Sequence, residues 1–392
     1  MKTLCVAVAI AMVVPACSDA GDGSEHAPPF RPATIGLNDV SVLFPLPPPN
    51  DVDALLSFSS AASRGPLLSN EQFEAIQPLA AATAADPAAA FARWRVVAAR
   101  IDPCFPDARA LSTQPVACKR QIRLAAQPIA VTTAGVTALD HAVHLLYEIP
   151  EAEFTTVATE WVSLQTERTR SHDVPLGVHP TLVEEGLRGK TATRLEQLIV
   201  DHAGTDNLVK VTFTIGGGTT WTFGSVARTS SGAFEVERIP SIDAEEDGSS
   251  QFVQTSDTGA GFFIAGPQSP SVQKLDVLLD LKATEPEIKD AFQTAFDLEN
   301  PLSGISSANV DCVSCHIAGR VKERAFFLGA KADGASAYTA VRNGSLAVSD
   351  ETRRTIRQVR ALGYNGIEPV LSLRAVNESD AVATALMTIL NP

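Results

Sequence analysis

Hydrophobic and polar residues alternate along several short segments in the first part of the chain, as they do in half-buried β-strands. At 121–126 a glutamine, an isoleucine, an arginine and a leucine follow one another before two alanines. The glycines at 216–218 separate two such segments and predict a hairpin. The predicted strands are 94–101, 121–126, 208–215, 219–224 and 234–239, with further strands around Phe252 and at 262–264.

Other segments show the apolar spacing of helices, and these dominate the end of the chain. The predicted helices are 70–82, 137–148, 151–168, 191–203, 272–281, 285–298, 321–328, 351–362 and 379–390. A stretch rich in Pro and Ser at 266–271 predicts a domain boundary. We therefore expect an α+β domain of unknown role over 33–268, followed by a mainly α-helical domain over 270–392.

The first residues predict export. Lys2 precedes an apolar run at 3–16 that is too short to cross a bilayer, which takes about 20 residues, and that fits a signal peptide at 1–16. Cys17 follows a small residue and resembles the acylated cysteine of bacterial lipoproteins. Residues 17–32 would then be a lipid anchor and linker, and the protein would lie in the periplasm or at the outer membrane. The alternative is ordinary cleavage after Ala16, which leaves Cys17 as a thiol.

Charge narrows the class of partner. The chain carries 45 acidic against 31 basic residues, a formal net charge of −14. Nucleic-acid binding needs a basic face for the phosphates, so we expect no nucleic acid among the partners. The membrane contact that we expect is the lipid anchor.

Cysteine usage adds two expectations. Of the six cysteines, Cys5 leaves with the signal peptide and Cys17 takes the lipid. Thiols do not persist in an oxidising compartment, so Cys104 and Cys118 are predicted to form a disulfide. A redox or metal-binding pair is the alternative for these two residues.

The last two cysteines lie in the sequence Cys312-Val313-Ser314-Cys315-His316. The pattern C-x-x-C-H is the attachment sequence of c-type haem. Two thiols one helical turn apart can add to the two vinyl groups of one porphyrin, and the adjacent imidazole can then bind the iron. The other readings are a redox pair and half of a zinc site.

With this motif, residues 275–392 resemble a mono-haem cytochrome c domain. The resemblance implies a helical fold and one covalently bound haem c. It also implies thioether bonds from Cys312 and Cys315, and His316 as the proximal iron ligand. The chain departs from the family in the long loop between a helix ending near Glu299 and the first motif cysteine.

The sequence does not decide which residue would be the second iron ligand. The resemblance implies a downstream methionine, and Met387 is the only methionine after the motif. His144 is the alternative distal ligand, since it shares a face of the predicted helix 137–148 with His141. Three further possibilities are His179 or His202 as ligand, a separate metal held by His141, His144 and Glu148, and an unfilled sixth position.

Two classes of function follow. The first is an electron carrier at the cell envelope that exchanges single electrons with a redox partner protein. The second is a haem enzyme of the peroxidase kind with an open distal site. A third possibility is a binding lipoprotein with an accessory haem domain. Di-haem peroxidases carry two C-x-x-C-H motifs and this chain has one, so we expect a carrier rather than an enzyme. The sequence also contains no G-x-S-x-G, H-E-x-x-H or Walker motif.

Overall fold

The computed structural model describes most of the chain after residue 31, with gaps. The described residues are 32, 34–76, 87–106, 118–133, 135–164, 166, 174–217, 220–236, 250–255, 262–265, 283–302, 312–331 and 360–391. The predicted signal peptide at 1–16, the anchor at Cys17 and the linker up to residue 31 lie outside them. So do the predicted helix at 272–281 and the predicted boundary at 266–271.

A ten-stranded sheet forms the centre of the fold, and its paired strands run antiparallel. Its strands are β1 (Ser41–Leu43), β2 (Trp94–Pro106), β3 (Cys118–Thr132), β4 (Gly135–Ala138), β5 (His141–Glu148), β6 (Leu208–Gly217), β7 (Thr220–Arg228), β8 (Phe234–Val236), β9 (Ser250–Thr255) and β10 (Phe262–Ala265). The order across the sheet is β1-β2-β3-β5-β6-β7-β9-β10, with β4 on β3 and β8 on β7. A separate hairpin consists of β11 (Leu362–Asn365) and β12 (Glu368–Leu371).

Helices occur both between the strands and after them. In the described residues they are α1 (Leu37–Val40), α2 (Asn70–Ala75), α3 (Pro87–Arg93), α4 (Glu151–Val162), α5 (Pro180–Glu185), α6 (Lys190–His202), α7 (Glu285–Glu299), α8 (Cys312–Phe327) and α9 (Leu373–Leu390), besides a short 3₁₀ helix at Val52–Ala54. Across this described part, every helix is too short or too polar to cross a membrane.

Most strand predictions are confirmed. The segments 94–101 and 121–126 lie within β2 and β3, which pair antiparallel with Ile101 opposite Ile122. The predicted hairpin around the three glycines is β6 and β7. Alternation identifies these strands because each has one face in an apolar core and a more polar opposite face.

The predicted helix 137–148 is wrong, because these residues form the end of β4 and the whole of β5. β5 lies between β3 and β6 in the middle of the sheet. Both of its faces are covered, so Leu146 is buried as well as its neighbours Leu145 and Tyr147. An apolar run without alternation is typical of such a strand and cannot be told from a buried helix by periodicity.

The two faces of the sheet carry different structures. On the first, which we call the core face, Val143, Leu145 and Tyr147 of β5 join the largest hydrophobic cluster. Helices α4 and α6 cover this face with apolar side chains that include Trp161 and Leu195. Side chains alternate along a strand, so Ala142, His144 and Leu146 lie on the opposite face. We call this second face the cavity face, because two cavities open there.

The cavity face is covered by two smaller clusters. One contains α7, α8 and the side chains of Trp221 and Phe223 from β7. The other contains Ala98 and Ala125 from the sheet and Tyr364 of the β11–β12 hairpin. Gln127 of β3 joins this hairpin to the sheet, since its amide accepts a hydrogen bond from the backbone N–H of Tyr364 at 2.7 Å.

The last helix belongs to the same unit as the sheet. Leu386 and Leu390 of α9 lie in the main core, and Ser379 Oγ is 2.7 Å from the Oγ of Ser41, the first residue of β1. Residues 32–392 form one compact unit. The predicted fold class, an α+β domain followed by a mainly helical cytochrome c-like domain, is therefore wrong. The protein is a mixed α/β structure around one antiparallel sheet, and its late helices complete the two faces of that sheet.

The last helix also begins earlier than predicted. α9 starts at Leu373 rather than at 379, and the Ser372 hydroxyl caps it by accepting from the backbone N–H of Ala375 at 3.1 Å. Asn377 and Glu378 therefore lie inside the helix. Asn377 donates from its side chain to the carbonyl of Glu299 at 2.9 Å, which ties α9 to the end of α7.

Candidate functional site

The cysteine–histidine motif, Cys312–His316, forms the first five residues of α8. Positions i, i+3 and i+4 of a helix share one face, so Cys312, Cys315 and His316 lie together. Both cysteine side chains are half-buried beside the cluster of α7 and α8. The prediction of a helix at 321–328 missed this start, because the motif itself has little apolar periodicity.

α8 is held in place by its apolar side. Val313, Ile317 and Val321 are buried against α7 and the cavity face. The ring of His316 lies against Phe223 of β7, with 4.8 Å between the ring centroids. The sheet therefore supports the imidazole that follows the second cysteine.

His144 reaches the same region from the sheet. In the antiparallel register, His144 of β5 lies opposite Ala125 of β3 and Thr212 of β6. Cross-strand partners share a face, so these three residues form a row on the cavity face. The row continues to Ser225 of β7, opposite Thr212. His144 is thus in the middle of the face that α8 covers.

The first cavity lies between α8, the sheet and the start of the β11–β12 hairpin. His316 and Cys312 of α8 border it from one side, and His144 borders it from the sheet. It holds about 550 Å³ of space not filled by protein atoms, part of it open to solvent.

The protonation state of His144 suits metal binding. Burial lowers the pKa of His144 to about 3, and the positive charges of His316, Arg123 and Arg100 lower it further against the effect of Glu378. The imidazole is therefore neutral at physiological pH. A neutral imidazole offers a nitrogen lone pair to a metal, which a protonated one cannot do.

An ion pair that the sequence did not indicate borders the first cavity. Arg360 donates from Nε and Nη2 to the two carboxylate oxygens of Asp140, at 2.7 and 2.5 Å. Trp221 Nε1 donates to the same carboxylate at 3.1 Å, and the guanidinium lies 5.4 Å from the centroid of the Trp221 ring. The two charged residues are 220 positions apart, so no local pattern could have paired them.

A second cavity adjoins the first. His144, Ala361 and Leu362 border both. The second cavity holds about 520 Å³, again partly open, and its polar border consists of Arg100, Arg123, Arg374, Ser372 and Glu378. These residues come from β2, β3, α9 and the N-cap of α9, and the sequence analysis named none of them as a site residue.

The other predicted ligands lie elsewhere. Met387 packs against the main core and borders neither cavity. His179 caps α5 by accepting the backbone N–H of Leu182 on Nδ1 at 3.3 Å, and His202 ends α6. Neither of these histidines borders the two cavities.

The separate metal site considered for His141, His144 and Glu148 does not form as expected. Strand alternation puts His141 and His144 on opposite faces of β5, although His141 also borders the first cavity. Glu148 pairs with Lys119 at 2.8 Å. Within the described ranges, no group of three or more His, Cys, Asp or Glu side chains could hold a metal ion.

Comparisons with known proteins add no information about this site. No family model, no curated protein and no solved structure matches the chain. The functional argument therefore depends on the side chains around the two cavities.

The predicted disulfide can be placed only by its backbone. Cys104 lies in β2 and Cys118 starts β3, opposite Pro106. The two strands are paired, so the cysteines are close in the register, while the loop 107–117 and both side chains lie outside the described residues. The disulfide stays a prediction.

Proposed function

We propose that this protein is an exported c-type haem protein that transfers single electrons, with one haem c bound in the first cavity. Cys312 and Cys315 would hold it by thioether bonds, and His316 and His144 would bind its iron. The observation that carries the proposal is that His316, from the C-x-x-C-H helix, and His144, from the central strand, border one cavity.

The donor set fits a haem c. Two thiols stand one helical turn apart, an imidazole follows directly, and a second neutral imidazole comes from the sheet. A haem iron bound in the first cavity would supply one-electron redox chemistry.

The surrounding residues favour electron transfer over catalysis. If His316 and His144 both bound the iron, they would leave no position on it for a substrate. Phe223 supports the ring of His316, and the sheet fixes the position of His144 through its pairing with Ala125 and Thr212. Ligands held by regular structure move little between two oxidation states, which suits a carrier.

Haem attachment is tested on protein matured in a bacterium with cytochrome c assembly. We expect a sharp reduced α-band, and haem staining that persists in a denaturing gel. Cys312→Ala/Cys315→Ala should lose the covalent stain, whereas Cys104→Ala/Cys118→Ala should keep it. Wild-type protein without covalent haem in that host would refute the proposal.

The same preparation tests export and anchoring. If Cys17 carries lipid, wild-type protein fractionates with membranes, because the several acyl chains of a lipoprotein bind stably. Cys17→Ala should then appear in the soluble envelope fraction. A variant that stays with the membranes in high salt would show that the anchor lies elsewhere.

A further inference from the structure

The second cavity has a buried arginine cluster at its border. Arg100 of β2 and Arg123 of β3 are register partners, and α9 packs against β2. Arg100 Nη2 donates to Glu378 at 2.5 Å, and Arg374 Nε donates to the same carboxylate at 2.6 Å. Burial acts to raise the pKa of Glu378, but its arginine neighbours lower it well below its usual value, so this carboxylate is ionised.

Two of the three arginines are held by other groups. Arg374 Nη1 donates to the carbonyls of Leu298 and Asn300 at 3.0 and 2.9 Å, which fastens α9 to the end of α7. Arg123 Nη2 donates to Asp102 at 2.8 Å. These two guanidinium groups are therefore fixed in place, and they add positive charge to the border of the cavity.

The third arginine, Arg100, keeps N–H groups for a ligand. Only 7% of its side chain is exposed, and it makes both of its ion pairs, to Glu378 and to Asp102, through Nη2. Among the described residues, no hydrogen bond uses its Nε or Nη1. Buried N–H groups without an acceptor are unfavourable, and a ligand in the cavity that Arg100 borders can supply one. A guanidinium in such a place is suited to binding a carboxylate.

The charge of the cluster favours a ligand with one negative charge. In the described part of the chain, the cluster has three guanidinium groups and two carboxylates, so one further negative charge balances it. The first turn of α9 also borders the cavity, through Ser372 and Arg374, and the N-terminus of a helix favours an anion.

The rest of the wall is apolar. Ala98, Ala125 and Leu362 line the second cavity from the sheet and the hairpin, and Ala375 lines it from α9. A molecule that binds here would therefore place its charged group at Arg100 and a short apolar body against these side chains.

We propose that the second cavity binds a small organic acid with a single carboxylate, and that Arg100 donates to this carboxylate. No residue of α8 borders the second cavity, so the site is separate from the two motif cysteines. It goes beyond the function proposed above and needs no haem. The protein would then have a second role, the recognition of a small apolar acid.

The test is isothermal titration calorimetry of the purified mature protein with butyrate, and with butyramide as the uncharged analogue. We expect butyrate to bind at a single site and butyramide to bind about tenfold more weakly or less, because only the anion pairs with Arg100. Acetate should bind more weakly than butyrate, by up to about fourfold per missing methylene, because the apolar walls contact the longer chain.

Two variants locate the site. Arg100→Leu should weaken butyrate binding about tenfold, whereas Arg188→Leu, which removes an exposed arginine paired with Asp51, should leave it unchanged. Ala375→Leu adds bulk on the cavity side of α9 and keeps every charged group. It should also weaken butyrate binding, and it decides the question if Arg100→Leu does not fold.

Wild-type protein that binds neither carboxylate would overturn this inference, as would butyrate binding that survives in both Arg100→Leu and Ala375→Leu. Phosphate bound as tightly as butyrate, with acetate no weaker, would show a general anion site and would contradict a site for an apolar acid. None of these results depends on haem, so a failure here leaves the proposed function standing.

Discussion

The two faces of the central sheet bury very different side chains. On the core face, residues such as Trp161 and Tyr147 join one large apolar cluster. On the cavity face, two smaller clusters leave space between them, and His144, Arg100 and Arg123 lie around that space. Burying a charge or an imidazole is unfavourable unless the group is hydrogen-bonded, paired with an opposite charge or bound to a metal. The core face therefore supplies the larger apolar core, and the cavity face carries the polar side chains on which the proposed function depends.

The largest expected effect is a loss of folding stability when a side chain is removed from the core face. Trp161→Ala removes a side chain that is 2% exposed in α4, and should lower the free energy of unfolding by about 3–5 kcal/mol. Denaturant unfolding measures this loss. Phe326→Ala is the control, because Phe326 on α8 is 71% exposed and should change stability by less than about 0.5 kcal/mol. A changed haem spectrum in Trp161→Ala would break the division between the faces.

On the cavity face, the largest loss of folding stability should come from removing a buried carboxylate. Glu378→Ala leaves Arg100 and Arg374 without their shared carboxylate and should lower the free energy of unfolding by about 3 kcal/mol. Glu160→Ala, which breaks a half-exposed pair with Arg194, should lower it by less than about 1 kcal/mol. Equal effects of the two variants in urea titrations would show that the buried cluster contributes no more than a surface pair.

The next prediction does not compare the two faces of the sheet. It concerns the predicted disulfide, which would join the ends of β2 and β3. If it forms, Cys104→Ser/Cys118→Ser should lower stability by about 3 kcal/mol, from the greater freedom of the unfolded chain. Reductant should have the same effect on the wild type and none on the variant. Equal melting of both proteins without reductant would mean that the two thiols are not joined.

The smallest effect is a pH dependence of the unloaded Cys312→Ala/Cys315→Ala protein. Folding lowers the pKa of His144 from 6.5 to about 3, so the unfolded chain takes up a proton below pH 6.5 that the folded chain does not. Stability should therefore fall as pH drops, by about 1.2 kcal/mol for this group between pH 6 and 5. His179, with a pKa lowered to about 4 by burial, adds a similar slope. Adding His144→Gln should remove only the first contribution, and an unchanged slope would place His144 in solvent.

Sequence alone predicted the strands that have one polar face and the helices with a clear apolar side. It failed at β5, where burial of Leu145 and Leu146 on opposite faces removes the alternation. It also failed on the fold class, because the helices after residue 283 resemble a separate domain until their contacts with the sheet are seen. Hydrophobic periodicity describes one element at a time, and the packing of α9 against β2 is a contact between distant segments.

The candidate site shows the same limit. The motif Cys312-Val313-Ser314-Cys315-His316 is local, so it can be read directly from the sequence, and its role as a haem site stays a prediction. The other side of the site comes from residues far apart in the chain, since His144, Arg100 and Glu378 meet only because β2, β3, β5 and α9 meet. Sequence named His144 through a predicted helix that is a strand in the structure, and it preferred Met387, which packs against the main core.

The central claim is that His144 and His316 bind one iron, and electron paramagnetic resonance of the ferric matured protein tests it most directly. We expect a low-spin bis-imidazole signal in the wild type and in Met387→Leu, and a high-spin signal with rapid cyanide binding in His144→Ala. A low-spin signal that survives in His144→Ala but disappears in Met387→Leu would contradict the account. A wild-type protein that is already high-spin would contradict it too, and would favour the haem enzyme with an open distal site.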